Sequence, residues 1–145
     1  MQTEKISAMR AKVKAIMQAR FSGAEMDQDG DWSVPFDSAR LYIHVEDFGG
    51  KHTVVRLTTS VLAGVNLSAD LYKWVATEGQ VQFFGTLMVH TFADGTHSLL
   101  CAHSLLGDRL DADELVNAVE AVGAMANQLD DELQPRFGGR KFNGG

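Results

Sequence analysis

The stretch "VQFFGTLMVHTFADGTHSLLCAHSLL", residues 81 to 106, decides the predicted fold, because two runs of strand-forming residues flank Asp94-Gly95. An Asp-Gly pair between two such runs is the strongest short-range signal for a β-hairpin. Parallel strands would need a longer crossover connection, so this stretch predicts an antiparallel sheet.

A two-residue turn at Asp94-Gly95 predicts which side chains of the hairpin share a face. It pairs Val89 with Leu100 and Leu87 with Ala102 as a core face. The opposite face then carries a second apolar set, namely Phe84, Met88, Phe92, Leu99, Cys101 and Leu105. An antiparallel sheet normally leaves one face to water, so we expect a second molecule or a partner protein to cover this set.

On either side of the hairpin, the spacing of apolar residues assigns the remaining helices and strands. Apolar residues at helical spacing predict a first helix over residues 3 to 21, with Thr3 as its cap. Alternation over residues 40 to 46, and a β-branched run after the turn at residues 48 to 51, predict two strands. A shorter strand precedes them at residues 32 to 34. Ser68 caps a short helix that stops at Gly79.

The last helix begins after Asp111, which has capping-box spacing to Glu114, and ends at Pro135. Its apolar stripe is Leu115, Ala118, Val119, Val122, Ala126, Leu129 and Leu133. The predicted order is αβββαββα, an α+β fold with a five-stranded antiparallel sheet packed by helices. Residues 1–139 are predicted to form one domain and residues 140–145 a flexible C-terminal tail.

Composition limits the class of protein. The chain has 145 residues, 45% hydrophobic and 22% charged, which is typical of one globular domain. It has no run of about 20 apolar residues and no signal-peptide core, so we expect a cytoplasmic protein with no membrane partner. Its net charge is −6, and most of the acidity follows the basic first helix, which argues against nucleic acid as a partner.

The acidic segment "DQDGDW", residues 27 to 32, resembles the start of a calcium loop. An EF-hand loop needs a glycine at position 6 and a glutamate at position 12, where this chain has Trp32 and Ser38. We interpret the segment as a turn in which aspartate side chains accept backbone N–H groups and Gly30 adopts a positive φ.

Four potential metal ligands fall on one face of the hairpin in the predicted register: His90, His97, Cys101 and His103. Imidazole and thiolate suit zinc or copper, but the spacing does not bring the four groups together. We therefore predict no metal, no cofactor and no enzyme activity. A metal- or thiol-dependent enzyme using Cys101, His103 and His90 remains an alternative, as does a regulatory domain that senses a small ligand.

Three segments resemble a known family when they are taken in order. They are "MDQDGDWSVPFDSARLYIHVEDF" (26–48), "VVRLTTSVLAGVNLSADLYKWV" (54–75) and "LDADELVNAVEAVGAMANQLDDELQPRFGG" (110–139). The chain resembles the YbjN-like proteins of actinobacteria, whose fold is that of the type III secretion chaperones. It departs from them at Leu71-Tyr72-Lys73-Trp74, where the related pattern has asparagines.

The resemblance implies a homodimeric, chaperone-like protein that holds an extended segment of a client protein. The apolar second face of the hairpin leads independently to the same expectation. The candidate partner-binding residues are Met9, Val13, Tyr42, Val54, Phe84, Met88, Phe92, Leu99 and Leu105.

Overall fold

The computed structural model of the chain describes residues 4 to 142. Its helices are α1 (Glu4–Arg20), α2 (Ala69–Ala76) and α3 (Ala112–Phe137), and a 3₁₀ turn (Glu78–Gln80) follows α2. Its strands are β1 (Glu25–Met26), β2 (Trp32–Phe36), β3 (Ala39–Phe48), β4 (His52–Ala63), β5 (Thr86–Thr91) and β6 (His97–Leu106). They form one antiparallel sheet in the order β1-β2-β3-β4-β6-β5.

The predicted α+β fold is confirmed, with six strands where five were expected. The additional strand, β1, has two residues and pairs with β2 across the acidic turn. That turn has the predicted construction. Asp27 Oδ1 accepts the N–H groups of Asp29 at 2.8 Å and Asp31 at 3.0 Å, and Gly30 has a φ of 88°.

The predicted helix caps are also observed. Ser68 Oγ accepts the N–H of Leu71 at 3.1 Å, and Asp111 Oδ1 accepts the N–H of Glu114 at 2.8 Å. The predicted cap Thr3 lies outside the described residues. The last helix continues past Pro135 to Phe137, because a proline in the final turn removes only one hydrogen bond, and it ends where Gly138 adopts a φ of 74°.

The hairpin β5–β6 does not have the predicted register. Its loop has three residues, and Phe92 and Thr96 close it through an N–H to carbonyl bond of 2.9 Å. Gly95 takes the left-handed conformation that a three-residue loop requires, with a φ of 87°. Leu87 therefore faces Cys101, and Val89 faces Leu99.

This shift of one residue moves side chains of β6 to the other face of the sheet. Leu99 and Cys101 are fully buried in the core, whereas they were predicted for the uncovered face. Leu87 and Val89 do lie on the core side, as predicted. Leu100 lies opposite Met88 and points away from the core.

The core lies between the sheet and the helices, which all pack against the same face. The predicted apolar stripe of α3 is buried throughout. Met9, Val13, Ile16 and Met17 of α1 and Leu71 and Trp74 of α2 belong to the same core cluster. The other face of the sheet has no helix on it in the described part of the chain.

Candidate functional site: the uncovered face and outer edge of the sheet

The uncovered face of the sheet, called the open face here, consists of the side chains of β3, β4, β5 and β6 that point away from the helices. Strand alternation and the observed register assign the members. They are Arg40, Tyr42, His44, Glu46, Val54, Arg56, Thr58, Ser60, Thr86, Met88, His90, Ser98, Leu100, Ala102, Ser104 and Leu106. Most of them are polar, so the open face is less apolar than predicted.

Apolar side chains on the open face form two groups at opposite ends of the strands. In one group, Met88 lies beside Leu100. The next row of side chains across the sheet contains Ala102 and Tyr42, with Thr58 between them. The other group contains Val54 beside Leu106. A polar row, His44, Arg56 and Ser104, separates the two groups, and Arg56 Nη1 donates to Ser104 Oγ at 3.0 Å.

The spacing of the two groups follows from strand geometry. Tyr42 and Glu46, which faces Val54, are four residues apart along β3. At about 3.4 Å per residue, the nearest rows of the two apolar groups are about 14 Å apart. An extended peptide of about five residues spans this distance.

Strand β5 is one outer edge of the sheet, and aromatic residues lie at both of its ends. Before β5, Phe83 is fully exposed, and Phe84 packs against His103 with ring centroids 5.4 Å apart. After β5, Phe92 packs edge-on against His90 at 4.5 Å.

The backbone of this edge is only partly covered. Gln80 Nε2 donates to the carbonyl of Leu87 at 3.2 Å, which blocks one outward-facing group. Since outward-facing residues alternate along an edge strand, Val89 is the next residue whose backbone groups face outward. The Gln80 contact has no signal in the sequence, because it depends on the docking of the 3₁₀ turn beside β5.

The predicted partner-binding residues separate into three sets. Tyr42, Val54 and Met88 lie on the open face, and Phe84 and Phe92 flank the edge strand. Leu105 is half-buried against the core. Met9 and Val13 of α1 and Leu99 of β6 are buried in the core, so little of their surface is open to a partner in the folded chain. Leu100 and Leu106 also lie on the open face, where the predicted register of the hairpin had placed Leu100 in the core.

A family model described as "T3SS (YopN, CesT) and YbjN peptide-binding chaperone 1", TY-Chap1, matches residues 7–145. The chain belongs to this family. The resemblance inferred from the sequence is thereby confirmed, and TY-Chap1 is a family of peptide-binding chaperones.

One solved structure shows the same fold at low identity, and a second is less similar. The crystal structure of YbjN from E. coli superposes with a TM-score of 0.63 at 13% identity, covering 87% of this chain and 91% of that one. The Yersinia pestis type III secretion chaperone SycH, in complex with a fragment of YscM2, has a TM-score of 0.48 at 14% identity, covering 83% and 98%. No curated protein matches the sequence.

In this TY-Chap1 chain, the His/Cys set that was weighed as a metal or thiol site is dispersed. His90 lies on the open face, whereas Cys101 lies in the core. Burial raises the pKa of the Cys101 thiol to about 12, so the thiolate that catalysis or metal binding needs is disfavoured. His103 Nδ1 accepts the N–H of Gly85 at 2.9 Å, and burial lowers its pKa. Residues 4 to 142 contain no group of three His, Cys, Asp or Glu side chains that could hold a metal ion.

A His–Asp pair that the sequence did not indicate joins the start of β4 to the loop after β6. His52 Nδ1 lies 2.6 Å from Asp108 Oδ2, and Asp108 Oδ1 accepts both the N–H and the hydroxyl of Thr53 at 2.9 Å. These bonds, the His52 bond foremost, hold the pKa of Asp108 far below its usual range. Thr53 is buried, and its hydroxyl donates its hydrogen bond to this carboxylate. The pair therefore acts as a clamp that holds the loop after β6 against the start of β4, and it activates no nucleophile.

A cavity of about 530 Å³ lies beside this clamp, lined by residues that include Phe48, His52, Leu106 and Arg109. It adjoins the Val54–Leu106 group of the open face. The alternative of a small-ligand sensor would place its ligand here. None of the helices described in residues 4 to 142 is long and apolar enough to cross a membrane.

Proposed function

We propose that the protein is a non-enzymatic, chaperone-like module that holds an extended segment of a partner protein against the open face of its sheet. One observation carries the proposal: every helix packs on the same side of the sheet, which leaves two apolar groups exposed on the other side. Membership in a family of peptide-binding chaperones supports the same function.

The arrangement of the open face defines the segment that it fits. An extended peptide presents alternate side chains to one side, about 7 Å apart. Two apolar anchors about 20 Å apart would reach the Met88–Leu100 and Val54–Leu106 pairs, because Leu100 and Leu106 are six residues apart along β6, and a polar residue between them would lie over Arg56. Because the flanking positions on the face are polar, the two apolar anchors provide most of the binding energy. The rest of the peptide contributes shape complementarity.

We further propose that two copies of the chain associate through the outer edge at β5. Phe83 is 100% exposed and Phe84 40%, on a chain whose other large apolar residues are mostly buried. Apolar side chains at both ends of a partly covered edge strand, with the outward-facing backbone groups of Val89 between them, favour pairing with a second strand. We also propose that the protein acts in the cytoplasm.

Selection of peptides from a random display library, followed by calorimetry on the selected sequences, tests the binding function. We expect micromolar binders with two spaced apolar residues, and a loss of affinity of roughly tenfold or more in Leu100→Ala. Tyr72→Ala is the matched control, because Tyr72 is exposed on α2, away from the open face. Equal affinity in both variants, or no enrichment of peptides, would refute this use of the open face.

Metal analysis of the purified protein separates the enzyme alternative from the chaperone. Stoichiometric zinc that disappears in His103→Ala would favour a metal enzyme and count against the proposal.

A further inference from the structure

The C-terminal residues after α3 return to the sheet and pair with the end of β4. The turn is made by Gly138 and Gly139, whose φ angles are 74° and 82°. The N–H of Arg140 donates to the carbonyl of Ala63 at 2.8 Å, and the N–H of Ala63 donates to the carbonyl of Arg140 at 2.9 Å. Gln134 Nε2 donates to the carbonyl of Gly139 at 3.0 Å. The segment is thus held by its backbone as an added strand would be.

The two side chains that follow reach opposite faces of the sheet. Lys141 forms an ion pair with Asp131 of α3, on the helix side. Phe142 packs edge-on against Tyr42 of the open face, with ring centroids 6.4 Å apart and planes at 70°. The segment therefore crosses the end of the sheet from the helix layer to the open face.

A buried carboxylate lies where Lys141 meets α3. Asp130 is 0% exposed, and its Oδ2 accepts the hydroxyl of Ser38 at 2.5 Å. Within residues 4 to 142, Asp130 Oδ1 has no hydrogen-bond partner, and the Lys141 ammonium lies 4.0 Å away. A buried carboxylate is costly unless a cation or hydrogen-bond donor compensates it, so this position favours a basic residue brought in from outside the core.

We propose that residues 140–142 occupy a peptide-docking site in cis, that this site selects a basic residue followed by an aromatic residue, and that a client segment with this pattern displaces them. The client half of the proposal rests on the proposed function, whereas the occupancy in cis does not. The recognition elements are the backbone N–H and carbonyl of Ala63 that bond to Arg140, the Asp130–Asp131 carboxylates and the ring of Tyr42. The glycines before the segment allow it to leave without unwinding α3.

The site is tested by removing the C-terminal segment from the chain and adding it back as a peptide. The chain truncated after Gly139 is labelled with nitrogen-15, and an acetylated peptide of residues 140–145, RKFNGG, is titrated into it. We expect saturable shifts of the Tyr42, Ala63 and Asp131 amide signals toward their positions in the full chain. The full chain is the matched control, and we expect its apparent affinity for the peptide to be at least roughly tenfold weaker, because its site is filled. Equal binding to both proteins would overturn the proposal.

Two altered peptides test the selectivity. The K141E peptide places a negative charge beside two carboxylates, and the F142A peptide has no ring for Tyr42. Each is expected to bind the truncated chain at least roughly tenfold more weakly than RKFNGG. Affinity equal to that of RKFNGG would show that the site reads neither side chain, and would overturn the proposed pattern.

A variant of the intact chain tests the occupancy even if the truncated chain does not fold. In Phe142→Ala we expect hydrogen exchange of the Ala63 and Arg140 amides to accelerate by roughly tenfold or more, with unchanged exchange in the middle of α3. Unchanged exchange at Ala63 would overturn the occupancy.

The outcomes for this inference and for the proposed function are distinguishable. Display-selected peptides that bind the full chain while Ala63 stays protected would overturn the displacement and sustain the proposed function. Binding of RKFNGG to the truncated chain, with no display-selected binder of the full chain, would sustain the occupancy in cis and refute the proposed function.

Discussion

Leu99 and Leu100 are adjacent and chemically identical, yet the sheet places them in opposite environments. Leu99 is fully buried beneath the helices, whereas Leu100 points to the open face beside Met88. Because side chains alternate along a strand, the effect of truncating each leucine on stability indicates which face of β6 packs in the core.

The Leu99→Ala variant should lose roughly 2 to 5 kcal/mol of unfolding free energy, since it leaves a cavity in the core. Leu100→Ala is the matched control, and its loss should be clearly smaller because the side chain is half-exposed. Urea denaturation monitored by the fluorescence of Trp32 and Trp74 measures both. A larger loss in Leu100→Ala would mean that β6 has the opposite orientation.

Leu87→Ala makes a second test on the facing strand, because Leu87 is 2% exposed and packs opposite Cys101. We expect a loss of about 2 to 5 kcal/mol in the same denaturation experiment. A value near zero would show that β5 turns its other face to the core.

Asp108 is the residue with the clearest pH-dependent contribution. Its pKa is lowered in the folded chain, foremost by the hydrogen bond from His52 and then by those from Thr53. The ionised carboxylate therefore stabilises the folded state at pH values above its ordinary pKa of about 4. This contribution is lost as the pH falls through the lower pKa of the folded chain.

Asp108→Asn keeps an acceptor for Thr53 but removes the charge. The urea midpoint of the wild type should exceed that of the variant above about pH 5, and the difference should shrink as the pH is lowered toward about 2. Midpoints measured at several pH values test this expectation. A difference that stays constant across the range would mean that the carboxylate contributes through its shape and not its charge.

At the scale of elements, the contact between α3 and the β2–β3 hairpin depends on a helical glycine. A Cβ on Gly123 would lie 2.4 Å from the nearest ring carbon of Phe36. A glycine inside a helix costs about 1 kcal/mol relative to alanine, so the helix alone would favour alanine. The close approach of the Phe36 ring reverses this preference.

Gly123→Ala should therefore destabilise the protein by about 1 to 3 kcal/mol, despite its better helix propensity. In a Phe36→Ala background the same substitution should be neutral or stabilising, because the ring is absent. Denaturant melts of the single and double variants form a double-mutant cycle that measures the coupling. Additive losses would show that the two elements do not meet at this point.

At the scale of the whole molecule, the helices and the sheet leave different surfaces for different tasks. The helices cover one face, the open face displays two apolar groups, and the edge at β5 carries exposed phenylalanines. The prediction that Leu99 and Cys101 belong to a second, uncovered apolar set is wrong, because both side chains are buried in the core. The proposed self-association is therefore based on the exposed phenylalanines at the edge and not on the open face.

The proposed dimer predicts a mass of two chains in sedimentation equilibrium at micromolar concentration. A Phe83→Ser and Phe84→Ser double variant should be monomeric with unchanged circular dichroism, since it removes apolar area at the edge. Phe48→Ser is the matched control: Phe48 is 55% exposed in the β3–β4 turn, and its loss should not change the mass. A wild-type monomer throughout the concentration range would refute the dimer.

Several features of the fold were predictable because their signals are local. Asp27, Ser68 and Asp111 each bond to N–H groups within four residues, so the turn and both caps could be inferred without any tertiary contact. The stripe of α3 and the alternation of β3 likewise repeat within one element. The family resemblance also followed from three segments of the sequence, and the family comparison confirmed it.

The site was less predictable, because its geometry depends on contacts between distant segments. Tyr42 and Met88 could be assigned to an uncovered face from alternation alone. The clamp between His52 and Asp108, and the cover of the Leu87 carbonyl by Gln80, required docked loops that no sequence spacing indicates.

By itself, then, the sequence determined the three helices, five of the six strands and their order, the caps at Ser68 and Asp111, and the class of fold, since residues a few positions apart set each of these. Only the tertiary structure decided the register of β5 with β6 and so which leucine is core, because an Asp-Gly turn is compatible with loops of two or three residues. Burial of Leu99 and Cys101 under the helices selects the three-residue loop. The return of Arg140 to Ala63 depends in the same way on where α3 ends above the sheet.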